Sequence, residues 1–205
     1  MAADDPTKTA ATDVRLPERE AAVLAELGRE GEALVAFQGL RRRLGIHQQA
    51  LSRTLRRLED DGLIAQEAGG YRLTEQAASF VRARHAPQRP SLPLAQAALP
   101  PHVDEGAVAE RLAGRWFHGL RWYGRVDGPG STTLIWLTEK DGEPVRVRLG
   151  GGSFALEAGG RHAPERATYA AARMVLGALA ELYGLDPDDR TGALTSAWPA
   201  NGNAA

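Results

Sequence analysis

Gln48, Gln49, Ser52, Arg53 and Arg56 lie in the stretch GIHQQALSRTLRRLEDDGLI, residues 45–64, at i, i+1, i+4, i+5 and i+8. On a helix this spacing gathers them on one contiguous face. Glutamine matches N6 and N7 of adenine, arginine matches O6 and N7 of guanine, and each good bidentate pair contributes about 1–3 kcal/mol of discrimination between bases. Just upstream, Arg41, Arg42 and Arg43 have the chemistry of phosphate contacts, which position a duplex without reading it. Residues 41–57 hold six arginines and no acid, whereas Glu59, Asp60 and Asp61 follow at once. The bland alternative is a solvated amphipathic helix, with Arg57 paired to those acidic neighbours.

The whole chain gives no such push. Its 205 residues carry a formal charge of −1, with 43% hydrophobic and 25% charged residues. Attraction to nucleic acid must therefore be local. Only Lys8 and Lys140 are lysines; the arginine excess suits bidentate contacts but follows equally from a GC-rich genome. The absence of cysteine excludes disulfides, thiolate metal sites and cysteine nucleophiles, and fits a reducing compartment. The polar start, MAADDPTKTAATD, does not read as a signal peptide, and no apolar run approaches the roughly 18 residues of a membrane span. A cytoplasmic protein with no membrane partner is the expectation.

Three helices must position the polar face. LPEREAAVLAELGRE reads as the first, starting near Pro17 with Val23, Leu24 and Leu27 as its apolar stripe. EALVAFQGLRRRLG reads as the second, with Leu34, Phe37, Leu40 and Leu44, and Gly45 stops it. In the third, Leu51, Leu55 and Leu58 at i, i+4 and i+7 make a buried face opposite the polar one. LIAQE, AGG and YRLT read as a strand, a glycine turn and a return strand, and EQAASFVRARH as a closing helix.

Helix, helix, turn, helix and glycine-tipped hairpin together resemble the winged helix-turn-helix domains of MarR-like transcription regulators. The resemblance rests on GIHQQALSRTLRRLEDDGLI followed by GGYRLTEQA and covers residues 16 to about 84. It implies that the third helix enters the major groove of double-stranded DNA. Gln48, Gln49, Ser52, Arg53 and Arg56 then become the base-reading set. Arg41, Arg42, Arg43, His47 and Arg72 become phosphate contacts. Two features depart from the pattern: His47 replaces the usual small capping hydroxyl, and the wing tip of Ala68, Gly69 and Gly70 is minimal. Winged helices also serve as protein-binding adaptors, and a non-specific architectural chromatin protein is a further alternative.

The expected division is a disordered tail over 1–13, the winged helix over 14–85, a proline-rich linker over 86–106, a second domain over 107–186 and a loose tail over 187–205. The fold class expected is α+β. In the second domain GRWFHGLRWYGRV, STTLIWLTEK, PVRVRL and GGGSFALEAGG read as four antiparallel strands. ERATYAAARMVLGALAELYGL reads as a covering helix, with Tyr169, Ala172, Leu176, Leu179 and Tyr183 inward. Strict alternation over 114–126 sends Trp116, His118, Leu120, Trp122 and Val126 one way. Phe117, Arg121, Tyr123 and Arg125 go the other, where Arg146 and Arg148 of the third strand could join them. Such a face suits a small-molecule or protein effector, a homodimer interface or single-stranded nucleic acid; solvent-facing arginines explain it as well.

No cofactor is implied and nothing points to an enzyme. Gly150, Gly151 and Gly152 lack the lysine and hydroxyl that a phosphate loop requires and read instead as a hairpin turn. His102, His118 and His162 show no metal-ligand spacing.

Overall fold

The computed structural model describes residues 16–29, 31, 33–82, 91–159 and 166–183. The tails expected over 1–13 and 187–205 lie outside them. The winged helix is built from α1 (Glu18–Leu27), β1 (Leu34–Val35), α2 (Phe37–Leu44), α3 (Gln48–Asp60), β2 (Ile64–Glu67), β3 (Gly70–Leu73) and α4 (Glu75–Arg82). Then come β4 (Ser91–Ala98), α5 (Glu105–Leu112), β5 (Leu120–Gly128), β6 (Ser131–Thr138), β7 (Pro144–Gly150), β8 (Ser153–Gly159) and α6 (Arg166–Tyr183). The class is α+β, as expected.

One antiparallel sheet runs through both regions, in the order β2-β3-β1-β5-β6-β7-β8-β4. Its junction is β1, whose Val35 pairs with Tyr71 on one side and with Gly124 on the other. Leu34, expected in a helix, belongs to this strand. The apolar pair Leu34–Val35 needs only two residues of extended backbone before Ala36 opens α2, so helical periodicity runs through it unnoticed. Gly70 and Gly124 flank β1 from both neighbouring strands. A Cβ at either would lie 2.3 Å from a carbonyl oxygen of β1, so these two positions require glycine.

The segment expected as a linker is largely ordered. Ser91–Ala98 pairs with β8, and the register shifts between Pro93 and Ala95. The ladder tolerates Pro93 because β4 is an edge strand and the irregularity lies beside it. Leu94, Ala95, Ala97 and Leu99 are buried. Asp104 then caps α5, its carboxylate accepting from the Ala107 amide at 3.1 Å. Asp104→Ala should cost about 1 kcal/mol, or about 2–4 °C in Tm for a chain of this size; a thermal melt checks it.

Two clusters fill the two sides of the sheet. On one, Leu120, Leu134, Trp136, Val145, Val147 and Leu156 pack with Val108 and Leu112 of α5 and Val175 and Leu179 of α6. The α6 stripe therefore centres on Val175 and Leu179, while Tyr169 and Leu176 are only partly buried. On the other, Val23, Leu27, Leu40, Leu51, Leu55 and Leu58 of the winged helix pack with Tyr123 and Ile135 of the second region. The second region thus completes the core of the first.

The strand expected over 114–126 begins only at Leu120, because His118–Gly119 turns the chain and Phe117 bridges back to Leu120. A second irregularity, between Trp122 and Gly124, switches the phase of β5. Arg125 is thereby separated from Arg121 and Tyr123, with which it was expected to share a face.

Candidate nucleic-acid interface

Gly45, in the left-handed conformation at φ 63°, ends α2 and turns the chain into α3. His47 stands at the N-cap with no side-chain capping bond. Along α3, Leu51, Leu55 and Leu58 are buried in the core shared with α1 and α2. Thr54 is buried too and returns its hydroxyl to the Ala50 carbonyl at 3.0 Å. This fixes the roll of the helix and turns the opposite face outward.

Gln48, Gln49, Arg53 and Arg56 are exposed on that face and Ser52 is half-buried. Among the described residues none of these side chains meets a hydrogen-bonding or ion-pairing partner. Their neighbour Arg57 behaves differently: its Nη1 donates to Glu20 of α1 at 3.1 Å, not to the acids that follow it in sequence. Burial, with the charge of Glu59, holds the Tyr71 phenol above its ordinary pKa against the opposing charge of Arg56.

The three arginines of α2 do three different things. Arg41 is half-buried. Arg42 is exposed and sits 4.7 Å from the ring centre of Trp116. Arg43, expected on phosphate, turns inward instead: Nε donates to Glu26 at 3.1 Å and Nη1 to the Gly142 carbonyl at 2.5 Å. The reason is Glu26, only 3% exposed, which a cation must neutralise. Its carboxylate also holds Arg29 at 3.1 Å and accepts from the Tyr123 hydroxyl at 3.2 Å. This network ties α1, α2, β5 and the β6–β7 turn together. At the wing, Arg72 is exposed and paired with Glu67 at 2.6 Å.

The arginine and aromatic face expected on the second sheet forms only in part: Arg121, Arg146 and Arg148 share the winged-helix side, Tyr123 is buried there, and Phe117 and Arg125 lie on the other. Phe117 is 8% exposed and packs edge-on against Trp136, and Tyr123 is 1% exposed in the winged-helix core. Arg121 pairs with Glu139, beside Leu137 on the winged-helix side of the sheet. Arg125, opposite Leu134, lies on the other side and binds Glu110 of α5 at 2.6 Å. Arg146 and Arg148 stay on the side of Ile135, with Glu157 at 3.8 Å from Arg148. The phase change in β5 is what separates Arg125 from Arg121, Arg146 and Arg148.

Arg125 also forks onto Asp127 at 2.8 and 3.0 Å, and Thr132 donates to the same carboxylate at 3.0 Å. The Arg125 hydrogen bonds hold the Asp127 carboxyl below its ordinary pKa, against the opposing effect of burial. The pairing therefore stabilises the fold above the pH at which an unfolded aspartate ionises. That contribution fades as pH falls through the depressed folded value. Asp127→Asn should lower stability at neutral pH by less than about 1 kcal/mol, since the pair is half-exposed. Melts at descending pH should show the two proteins converging.

Glu26 and Trp116 are the positions sequence reasoning missed. Glu26 stands beside Leu27 on the buried side of α1, which was the available signal. Trp116, expected to share a strand face with Leu120 and Trp122, precedes the strand and is 58% exposed.

No helix among the described residues is long and apolar enough to cross a membrane. No curated protein matches the chain. Residues 16–70 match the model of the MarR family, and that part of the chain is a MarR-like winged helix domain.

Proposed function

We propose that the protein is a sequence-specific regulator of transcription that places α3 in the major groove of double-stranded DNA. The observation that carries this is the outward face of α3, where Gln48, Gln49, Arg53 and Arg56 stand exposed on a helix whose opposite side is locked into the core. Such side chains, with no hydrogen-bonding or ion-pairing partner among the described residues, are available to base edges. Arg41 and His47, at the end of α2 and the start of α3, supply phosphate contacts. Arg72 adds a weaker one, because Glu67 already neutralises part of its charge.

Specific readout of a genome usually needs two half-sites. We assign dimerisation to the second region, and with it the sensing of an effector. The proposed regulator acts in the cytoplasm, without a cofactor and without catalysing a reaction. Sedimentation of the purified chain alone and with a two-site duplex tests the dimer.

The phosphate role is tested by Arg41→Ala. Binding to all duplexes should weaken alike, and the slope of log affinity against log salt should flatten by about 0.9. A loss confined to one sequence would move Arg41 into the base-reading set.

A further inference from the structure

A cleft of about 480 Å³ opens where α2 meets the β6–β7 turn, within the range of small-molecule sites. Arg42, Arg121, Leu137, Glu139 and Asp141 are among the residues that line it. Trp116 stands beside it, with the Arg42 and Arg121 guanidinium carbons 4.7 and 4.9 Å from its ring centre. Arg43 is committed to Glu26 and Arg121 is shared with Glu139, but no carboxylate meets Arg42 among the described residues. Burial and the like charges of Arg121 and Arg41 press its pKa downward. Arg42 therefore brings to a concave site a positive charge that no carboxylate among the described residues pairs with.

We propose that this cleft binds a phosphorylated small molecule, with its phosphate on Arg42 and Arg121 and its hydroxyl or amine donors on Glu139 and Asp141. Two guanidiniums beside each other suit a phosphate's several acceptor oxygens. The exposed indole offers a surface for a base or sugar ring. The two carboxylates argue against the continuous phosphate line of a duplex and for a discrete ligand that brings its own donors. Because the cleft spans α2 and the turn that Arg43 ties to it, occupancy alters DNA affinity, and DNA alters ligand affinity by the same factor. This regulatory half rests on the proposed DNA binding.

Calorimetric titration of the full chain without DNA tests the site, with adenosine 5′-monophosphate and inorganic phosphate as probes. The nucleotide should bind saturably and phosphate should compete with it. Arg121→Gln, at a half-buried position, and Trp116→Ala, at an exposed one, should each weaken binding by about tenfold or more. Absence of saturable heat with either probe, or equal binding by both variants, overturns the site. Competition by duplex DNA for the same site, with a flatter salt dependence in Arg121→Gln, would assign the arginines to the DNA backbone and overturn the small-molecule proposal. An unchanged DNA affinity with nucleotide bound would overturn the regulatory half. Failure of DNA binding itself appears separately, as duplex affinity indifferent to Arg53.

Discussion

Valine at position 124 should destabilise the whole molecule, including the part that carries α3. A Cβ there would lie 2.3 Å from the Leu34 carbonyl oxygen and 3.0 Å from the Val35 Cα, so the clash is with backbone that no side-chain rotation relieves. Relief requires β1 to part from β5, and β1 is the strand that joins the winged helix to the second region. Overpacking of this kind costs about 1–3 kcal/mol and more where the backbone cannot shift. We expect the upper end of that range, visible as a Tm lowered by about 6–12 °C. Gly128→Ala, in the same strand, is the control: its nearest neighbour would be the Ser131 hydroxyl at 3.7 Å, an ordinary contact, and stability should barely change. Equal tolerance of both substitutions would show that the two regions do not share one sheet in solution.

The second large effect concerns recognition. Arg53→Ala should weaken binding to the preferred duplex by about 1–3 kcal/mol, about 5- to 150-fold, and relax selectivity at a single base position. Stability should be nearly untouched, because Arg53 is exposed and the buried leucines of α3 stay in place. Competition between duplexes that differ at one position measures the selectivity. An equal loss on every sequence would mean that Arg53 meets phosphate and reads nothing.

Where local pattern decides structure, the sequence was informative. The leucine rhythm of α3 placed Leu51, Leu55 and Leu58 in the core and its polar residues outside. The wing was legible from its glycine tip, and the β7–β8 turn from Gly151 and Gly152, both with positive φ as a two-residue hairpin turn requires. What escaped depends on partners distant in sequence. The pairing of Leu34–Val35 with Gly124 and Arg125 has no local signature, so β1 was absorbed into a helix and the two regions looked separate. Five prolines hid β4, since composition cannot tell a linker from an edge strand that tolerates Pro93.

Residue type misled for the same reason. Arg43 has the chemistry of a phosphate contact, and only the fold brings Glu26 and Gly142 to it. Strict alternation through 114–126 assumed an uninterrupted strand. The turn at Gly119 put Phe117 on the opposite side of the sheet from Tyr123, and the irregularity after Trp122 moved Arg125 away from Arg121. The glycines at 119 and 124 were the available hint, because glycine inside a strand pattern often marks such a break.

We assign the reading of DNA sequence to the outward face of α3. The most direct test is selection of the purified protein on a pool of genomic duplex fragments, followed by anisotropy at two salt concentrations and sequencing of the retained fraction. We predict tight, salt-dependent binding, enrichment of a two-fold symmetric site, and loss of that enrichment in Arg53→Ala. Retention without enrichment, or no binding even at low salt, would contradict it.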